Sequence, residues 1–191
     1  MNMITDLVRK FGAILLIMML LIPSAAADVV TAEWNRQPQH AVPTDSAISQ
    51  YGDVAVVSYD NGYVVAIDTA GNTVIWSTDI GSSVTEIVLN PEATYVLAYD
   101  SANKVTLLKV DTGAVVWSYQ SPSAVLDIDM SLSQKCMIVT GTEILVKDVT
   151  GSVYMTISNN KNNLATAQPT FLKAVIDADS GYIVAGMSDN T

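Results

Sequence analysis

Histidine and cysteine are almost missing from this sequence: His40 and Cys136 are the only ones in 191 residues. One cysteine cannot form an intramolecular disulfide, so a stapled extracellular scaffold is excluded. The histidine lies in the Pro-bracketed stretch "NRQPQHAVPT", with no nucleophile and orienting partner beside it, and reads as a solvated loop side chain. The patterns G-x-S-x-G and H-E-x-x-H and the phosphate-binding P-loop are absent too. Positive charge is also scarce, with 9 Lys and Arg against 19 Asp and Glu and a net charge of −10. So acidic a chain repels phosphate backbones, which excludes nucleic acid as a partner, and it gains nothing from an anionic membrane surface. Only 15% of residues are charged and half are apolar, so the composition is that of a packed chain rather than a disordered one.

The longest apolar run, "FGAILLIMMLLI", has twelve residues. Spanning a bilayer takes about 20. Arg9 and Lys10 precede the run, and "PSAAA" follows it with Ala25 and Ala27 in an A-x-A arrangement. This order predicts a secretory signal peptide over residues 1–27, cut after Ala27 to leave Asp28 as the N-terminus. An uncleaved N-terminal anchor is the alternative. Cleavage would leave 7 basic and 18 acidic groups, and no cysteine near the cut is there to carry a lipid. Residues 28–43 read as an extended segment. An exported chain without disulfides must be held by packing alone, as repeat arrays are.

What is present is a repeat. "AIDTAGNTVIWSTD", "KVDTGAVVWSYQ" and "VKDVTGSVYMTIS" each carry an acid, a tight turn and an apolar run. Asp68, Asp111 and Asp148 lie 43 and 37 residues apart; Gly71, Gly113 and Gly151 lie 42 and 38 apart. Trp76 and Trp117 are separated by 41, and Met155 takes the aromatic's place 38 further on. A second thread, "SVTEIVLN", "AVLDIDMS" and "FLKAVIDA", runs between these copies. A period of about 40 residues falls in the range of propeller blades.

Each unit reads as four short strands, placed in the second near Val84–Leu89, Thr94–Ala98, Val105–Val110 and Ala114–Tyr119. The inner runs, such as "VAVVS" and "YVLAY", are almost continuously apolar, as strands covered on both faces are. In "VDTGAVVW" the Asp111 carboxylate is expected to accept an N–H two residues on, Gly113 to supply a positive φ, and Trp117 to fill the gap between blades. The predicted fold is all-β: an incomplete, open propeller of about three to four four-stranded antiparallel blades, over residues 44–82, 83–123, 124–170 and a partial blade at 171–191. An apolar blade face is expected at each end of the arc, and the chain is expected to be the N-terminal part of a longer protein.

The strand–acid–turn–Trp sentences "AIDTAGNTVIWS" and "KVDTGAVVWS" resemble the pyrroloquinoline-quinone-type (PQQ-like) propeller repeat. "AVIDADSGYIVAG" is similar to a hairpin of WD-type repeats and of archaeal secreted surface propellers. The resemblance covers about residues 44–191; the third unit departs from it with "VYM" where "VVW" is expected. Quinoprotein enzymes of this family hold their cofactor beside adjacent cysteines, a pattern that one cysteine cannot supply, so no cofactor is expected.

Asp127 with Asp129, and Asp177 with Asp179 and Gly181, space carboxylates two apart. The second pair suggests the start of an acidic calcium loop, but Ser180 interrupts it and no third carboxylate follows at the required spacing. It reads as a hairpin turn, and the first pair as a polar lining of the central channel. Cys136, in "KCMIVTG", reads as a small buried hydrophobe. The Asn-rich "SNNKNNLATAQPT" at 158–170 is an insertion of the kind that carries binding contacts.

No catalytic, cofactor-binding or metal-binding residue is therefore expected. The functional expectation is an exported, non-enzymatic binding or scaffolding module at the cell surface, contacting protein or surface glycan through blade loops. The alternatives are the N-terminal part of a PQQ-like enzyme whose catalytic residues lie beyond residue 191, and an envelope assembly factor gripping client strands at a blade edge.

Overall fold

The computed structural model describes residues 41–159, 169–179 and 181–188. The segment 1–27, His40, Ser180 and most of the Asn-rich insertion lie outside the described residues. Every regular element described is a strand. The first sheet is β1 (Pro43–Ile48), β2 (Val54–Tyr59), β3 (Tyr63–Asp68) and β4 (Thr73–Asp79). The second is β5 (Val84–Leu89), β6 (Tyr95–Asp100), β7 (Lys104–Lys109) and β8 (Val115–Gln120). The third is β9 (Val125–Met130), β10 (Lys135–Thr140), β11 (Glu143–Asp148) and β12 (Val153–Ser158). A two-stranded sheet follows, β13 (Phe171–Ile176) and β14 (Ile183–Met187). Each sheet is an antiparallel meander in chain order. The first strand of each sheet lies beside the first strand of the next: β1 by β5, β5 by β9, β9 by β13.

This is an open propeller arc of three blades and a half blade. The second and third strands of each full blade are buried on both faces, as their unbroken apolar runs require. Their side chains build one core per joint. Val64, Val96 and Leu108 lie between the first and second blades. Leu97, Leu107, Cys136 and Ile138 lie between the second and third, and Val139, Val146 and Phe171 between the third and the half blade. The fourth strands alternate and remain largely exposed.

Strand edges differ from the sequence expectation by a residue or two. β6 starts at Tyr95 because Asn90 holds the preceding turn, its Oδ1 accepting the N–H groups of Thr94 and Tyr95 at 2.8 Å each, and it runs on to Asp100 because that residue still pairs with Val84. β1 takes in Pro43, so the first blade starts one residue before the expected 44.

The apolar end faces are not symmetric, as they were expected to be. On the half blade Leu172, Val175, Tyr182 and Val184 are exposed. At the other end Ala41, Tyr59, Val65 and Ile67 form a buried cluster. There the chain at 41–42 folds back on the blade, with Val42 N–H donating to the Asp60 carboxylate and Asp60 N–H to the Val42 carbonyl.

Candidate functional site

The inner strands repeat one irregularity. Pairing with the second strand slips at Thr44, Thr85, Leu126 and Leu172, the second residue of β1, β5, β9 and β13. A bulge re-aims the side chain beside it. The next residue in each strand is Asp45, Glu86, Asp127 and Lys173, so the bulges set one charged side chain per blade in a row along the inner edges.

Two of these carboxylates join blades. Asp45 Oδ2 accepts the Ile87 N–H of the second blade at 2.9 Å, and Asp127 Oδ2 accepts the Ala174 N–H of the half blade at 2.9 Å. Asp129 repeats the device one step along, accepting from Ile176 N–H at 2.9 Å and from Met130 N–H at 2.8 Å. Charge-assisted bonds of this kind supply the lateral acceptors that an inner strand edge lacks. Asp127 also sits 3.6 Å from the Lys173 ammonium, which is largely exposed and therefore adds little.

The row shifts the acids it contains. Burial, then the charge of Asp127, pushes the Glu86 carboxyl up to about 7; Lys173 opposes this, and Asp45 and Asp129 reinforce it. Burial also raises Asp129, against the pull of its two N–H donors. The Tyr99 phenol beside them is raised by burial and by Glu86.

On the outer side, each blade inserts a side chain against the turn of the next. Trp76 is buried and its Nε1–H donates to the Val110 carbonyl at 2.6 Å. Its ring lies on Gly113, where a Cβ would fall 2.6 Å from the indole. Trp117 lies on Gly151 in the same way, but is half-buried and its buried Nε1–H has no acceptor. The expectation that Trp117 fills its joint thus holds better for Trp76. Lys147 lies over the Trp117 and Tyr119 rings, 5.9 and 5.1 Å from their centroids. Met155, which replaces the tryptophan in the third blade, packs on the last core.

The turns hold a correction. Gly113 and Gly151 have φ of 69° and 85°, but in the corresponding turn of the first blade, between β3 and β4, the positive φ, 50°, belongs to Asn72 and not to Gly71. Asn72, Gly113 and Gly151 each precede Trp76, Trp117 and Met155 by four residues, so Asn72 is the true equivalent. Asp68 and Asp148 accept the N–H two residues on, at 3.1 and 2.9 Å. Asp111 instead accepts the Thr112 hydroxyl, while Gly113 N–H goes to the Lys109 carbonyl.

Of the residues singled out in the sequence, Asp127 and Asp129 come together as inter-blade acceptors. Asp177 serves a hairpin turn, its Oδ1 accepting the Tyr182 N–H at 2.9 Å. Among the described residues no group of three His, Cys, Asp or Glu has a geometry that could hold a metal ion. Cys136 is buried, and burial pushes its thiol up to about 12. Sequence reasoning missed Asp45, Glu86 and Lys173. Their shared signal was one charged residue at the third position of each inner strand.

The fold and its joints define a β-propeller repeat protein. Over residues 27–168 the chain matches the PQQ_2 family, described as outer membrane protein assembly factor BamB, and it belongs to that family. Among solved structures it is similar to the β-propeller domain of Cps50 (Swd1) from Myceliophteria thermophila, with a TM-score of 0.64 and 13% identity. That match covers 78% of this chain and 51% of the other, so the chain spans about half the length of that propeller. No curated protein matches.

Proposed function

We propose that the chain is exported and acts as a non-enzymatic binding module of the cell envelope, of the assembly-factor kind that its family is named for. The observation that carries this reading is the repeated outer edge. Strands β4, β8 and β12 each leave one backbone edge unpaired and expose an adjacent apolar pair there: Val74–Ile75, Val115–Val116 and Val153–Tyr154. Such edges accept an added strand, with backbone hydrogen bonds giving affinity and the exposed side chains giving preference. Asp68 and Asp148, by contrast, are engaged in turns, and Asp45 and Asp127 in blade joints. Export is supported by the leader-like order of residues 1–27 and by a family match that begins at Ala27, the last residue before the expected cut.

The test is photo-crosslinking from positions 116 and 154 of the full chain expressed in its own host. Adducts with envelope proteins that vanish when the neighbouring apolar residue is replaced, Val115→Lys beside position 116 and Val153→Lys beside position 154, in variants of unchanged melting temperature support the reading. A protein that stays in the cytoplasm with Met1 intact, or that is exported and gives no adduct from either edge, overturns it.

A further inference from the structure

Two kinds of rim bond recur along the arc: the first joint makes both, the third makes the inner carboxylate bond and has Met155 in place of the tryptophan, and the second makes neither. Between the first and second blades, Asp45 accepts the inner N–H of Ile87 and Trp76 donates to the Val110 carbonyl. Thr78 adds a hydroxyl bond to the Gly113 carbonyl at 2.9 Å, and the Lys104 ammonium bonds the Ile80 carbonyl. Between the third blade and the half blade, Asp127 and Asp129 accept the N–H groups of Ala174 and Ile176.

Between the second and third blades neither fastening is made. Glu86 occupies the place of Asp45 and Asp127, yet it accepts no hydrogen bond among the described residues, and the bond from Ile128 N–H that would correspond is absent. On the outer side the buried Trp117 Nε1–H is without an acceptor. What crosses this joint is an apolar core, the bond from Val125 N–H to Asn103 Oδ1 at 3.1 Å, and Lys147 over the Trp117 and Tyr119 rings. Burial and the Val125–Asn103 bond hold it shut, with neither the carboxylate bond nor the indole bond that fasten the first joint.

We propose that the joint between the second and third blades is the hinge of the arc, and that the charge on Glu86 sets how readily it opens. Glu86 is partly buried, and the charged and titratable groups whose fields reach it are Asp45 on β1, Tyr99 on β6, Asp127 and Asp129 on β9 and Lys173 on β13. Three of the five are carboxylates, two of them on the strand across the joint. A neutral Glu86 sits among them without penalty. An ionised one is repelled by Asp127 and Asp129 across the joint, against the single opposing charge of Lys173, and the repulsion is relieved when the two inner strands part. Opening needs only local loss of contact, since each blade keeps its own ladder.

Cys136 is the reporter, because its thiol lies in the core of this joint and is fully buried when the joint is closed. The experiment measures the rate at which an aromatic disulfide reagent labels Cys136 in the full chain, wild type and Glu86→Gln. Taking the ratio of the two at each pH cancels the ionisation of the thiol itself. The expected ratio is near one at pH about 5.5 and rises several-fold at pH about 8, where Glu86 is charged in the wild type. The thiol of a Leu108→Cys, Cys136→Ser variant, placed in the neighbouring joint, is expected to label more slowly than Cys136 and with no dependence on Glu86. Carbon-detected NMR on the wild type is expected to show the Glu86 carboxyl titrating near 7. A ratio that stays at one across the pH range overturns the proposal. So does equal labelling of both joints at the rate of global unfolding, or a Glu86 midpoint near 4.5.

Discussion

The indole of Trp76 lies on Gly113, and its Nε1–H donates to the Val110 carbonyl at 2.6 Å, so the last strand of one blade is fitted to the turn of the next. The fit explains why turn and tryptophan recur together: the glycine gives the hairpin its positive φ and leaves a flat floor for the neighbour's ring. Neither half works without the other. Trp76→Ala is expected to cost about 3–5 kcal/mol, as large buried aromatics do. Gly113→Ala should cost about 1–2 kcal/mol from the left-handed backbone alone, with the clash against the ring in addition. Trp117→Ala, at a half-exposed ring without an indole bond, should cost clearly less than Trp76→Ala. Urea unfolding of the three variants ranks them; equal losses at Trp76 and Trp117 would contradict the interlock.

The inner carboxylates make a second fastening. Asp127 is only 6% exposed and its Oδ2 holds the Ala174 N–H, so Asp127→Ala should destabilise by about 1.5–3 kcal/mol, the usual worth of a hydrogen bond to a charged group. Lys173→Ala, which removes only an exposed partner of the same carboxylate, should change stability by less than about 1 kcal/mol. Amide exchange of Ala174 should quicken in the first variant and not in the second. Exchange that responds to Lys173 rather than to Asp127 would show the ion pair to be the true fastening.

Stability should depend on pH in two windows of opposite sense. Glu86, raised from 4.5 to about 7, and Asp129, raised by burial, bind protons more tightly when folded. The stability they contribute is complete below their unfolded values and is lost as pH rises through the folded ones, up to about 7 for Glu86. Asp53 and Asp148, lowered first by the hydroxyls of Ser49 and Thr150, act the other way. Their contribution is present above the unfolded value of 3.8 and is lost as pH falls below it. The melting temperature should therefore peak near pH about 4, where the two windows meet, and decline on both sides. Glu86→Gln should flatten the decline between pH about 5 and 8 and leave the acid limb unchanged. A melting temperature that climbs steadily to pH 8 would refute the assignment.

The blade was legible in the sequence because its signals are local. Asp68, Asp148 and Gly113 mark turns through their own backbones, and apolar runs such as "YVLAY" announce strands covered on both faces. Aligning Gly71 with Gly113 and Gly151 missed the turn's register by one residue, because glycine is the usual bearer of a positive φ and here Asn72, the non-glycine residue type that reaches it most readily, carries it instead. The inner row was only half legible. Asp127 and Asp129 attracted notice as a pair on one strand, while Asp45, Glu86 and Lys173 were single charges in three separate stretches. Their kinship rests on a bulge at the same place in four inner strands, a feature of pairing that has no residue signature of its own. The missing fastenings at the second joint were illegible for the same reason: Glu86 differs from Asp45 by one methylene, and only the geometry shows that its carboxylate meets no donor.

The half blade should make the chain associate. Leu172 and Val175 on β13 and Tyr182 and Val184 beside and on β14 lie together on its outward side, with Tyr182 77% and Val184 68% exposed. A face of this kind is normally covered by the next blade; exposed here, it is an apolar patch with the largely exposed Lys173 beside it. Its removal from water is worth roughly 25 cal/mol per Å2, so a few hundred Å2 contribute several kcal/mol against the entropy of association, and contact is expected at the upper end of the working protein concentrations. Sedimentation velocity of the full chain should show species larger than a monomer whose share grows with protein concentration. Val175→Lys with Val184→Lys, neighbours across the β13–β14 pair, should return it to monomer without lowering the melting temperature, since both side chains point away from the core. A wild-type chain that sediments as a monomer at every concentration would show that the exposed face does not drive association.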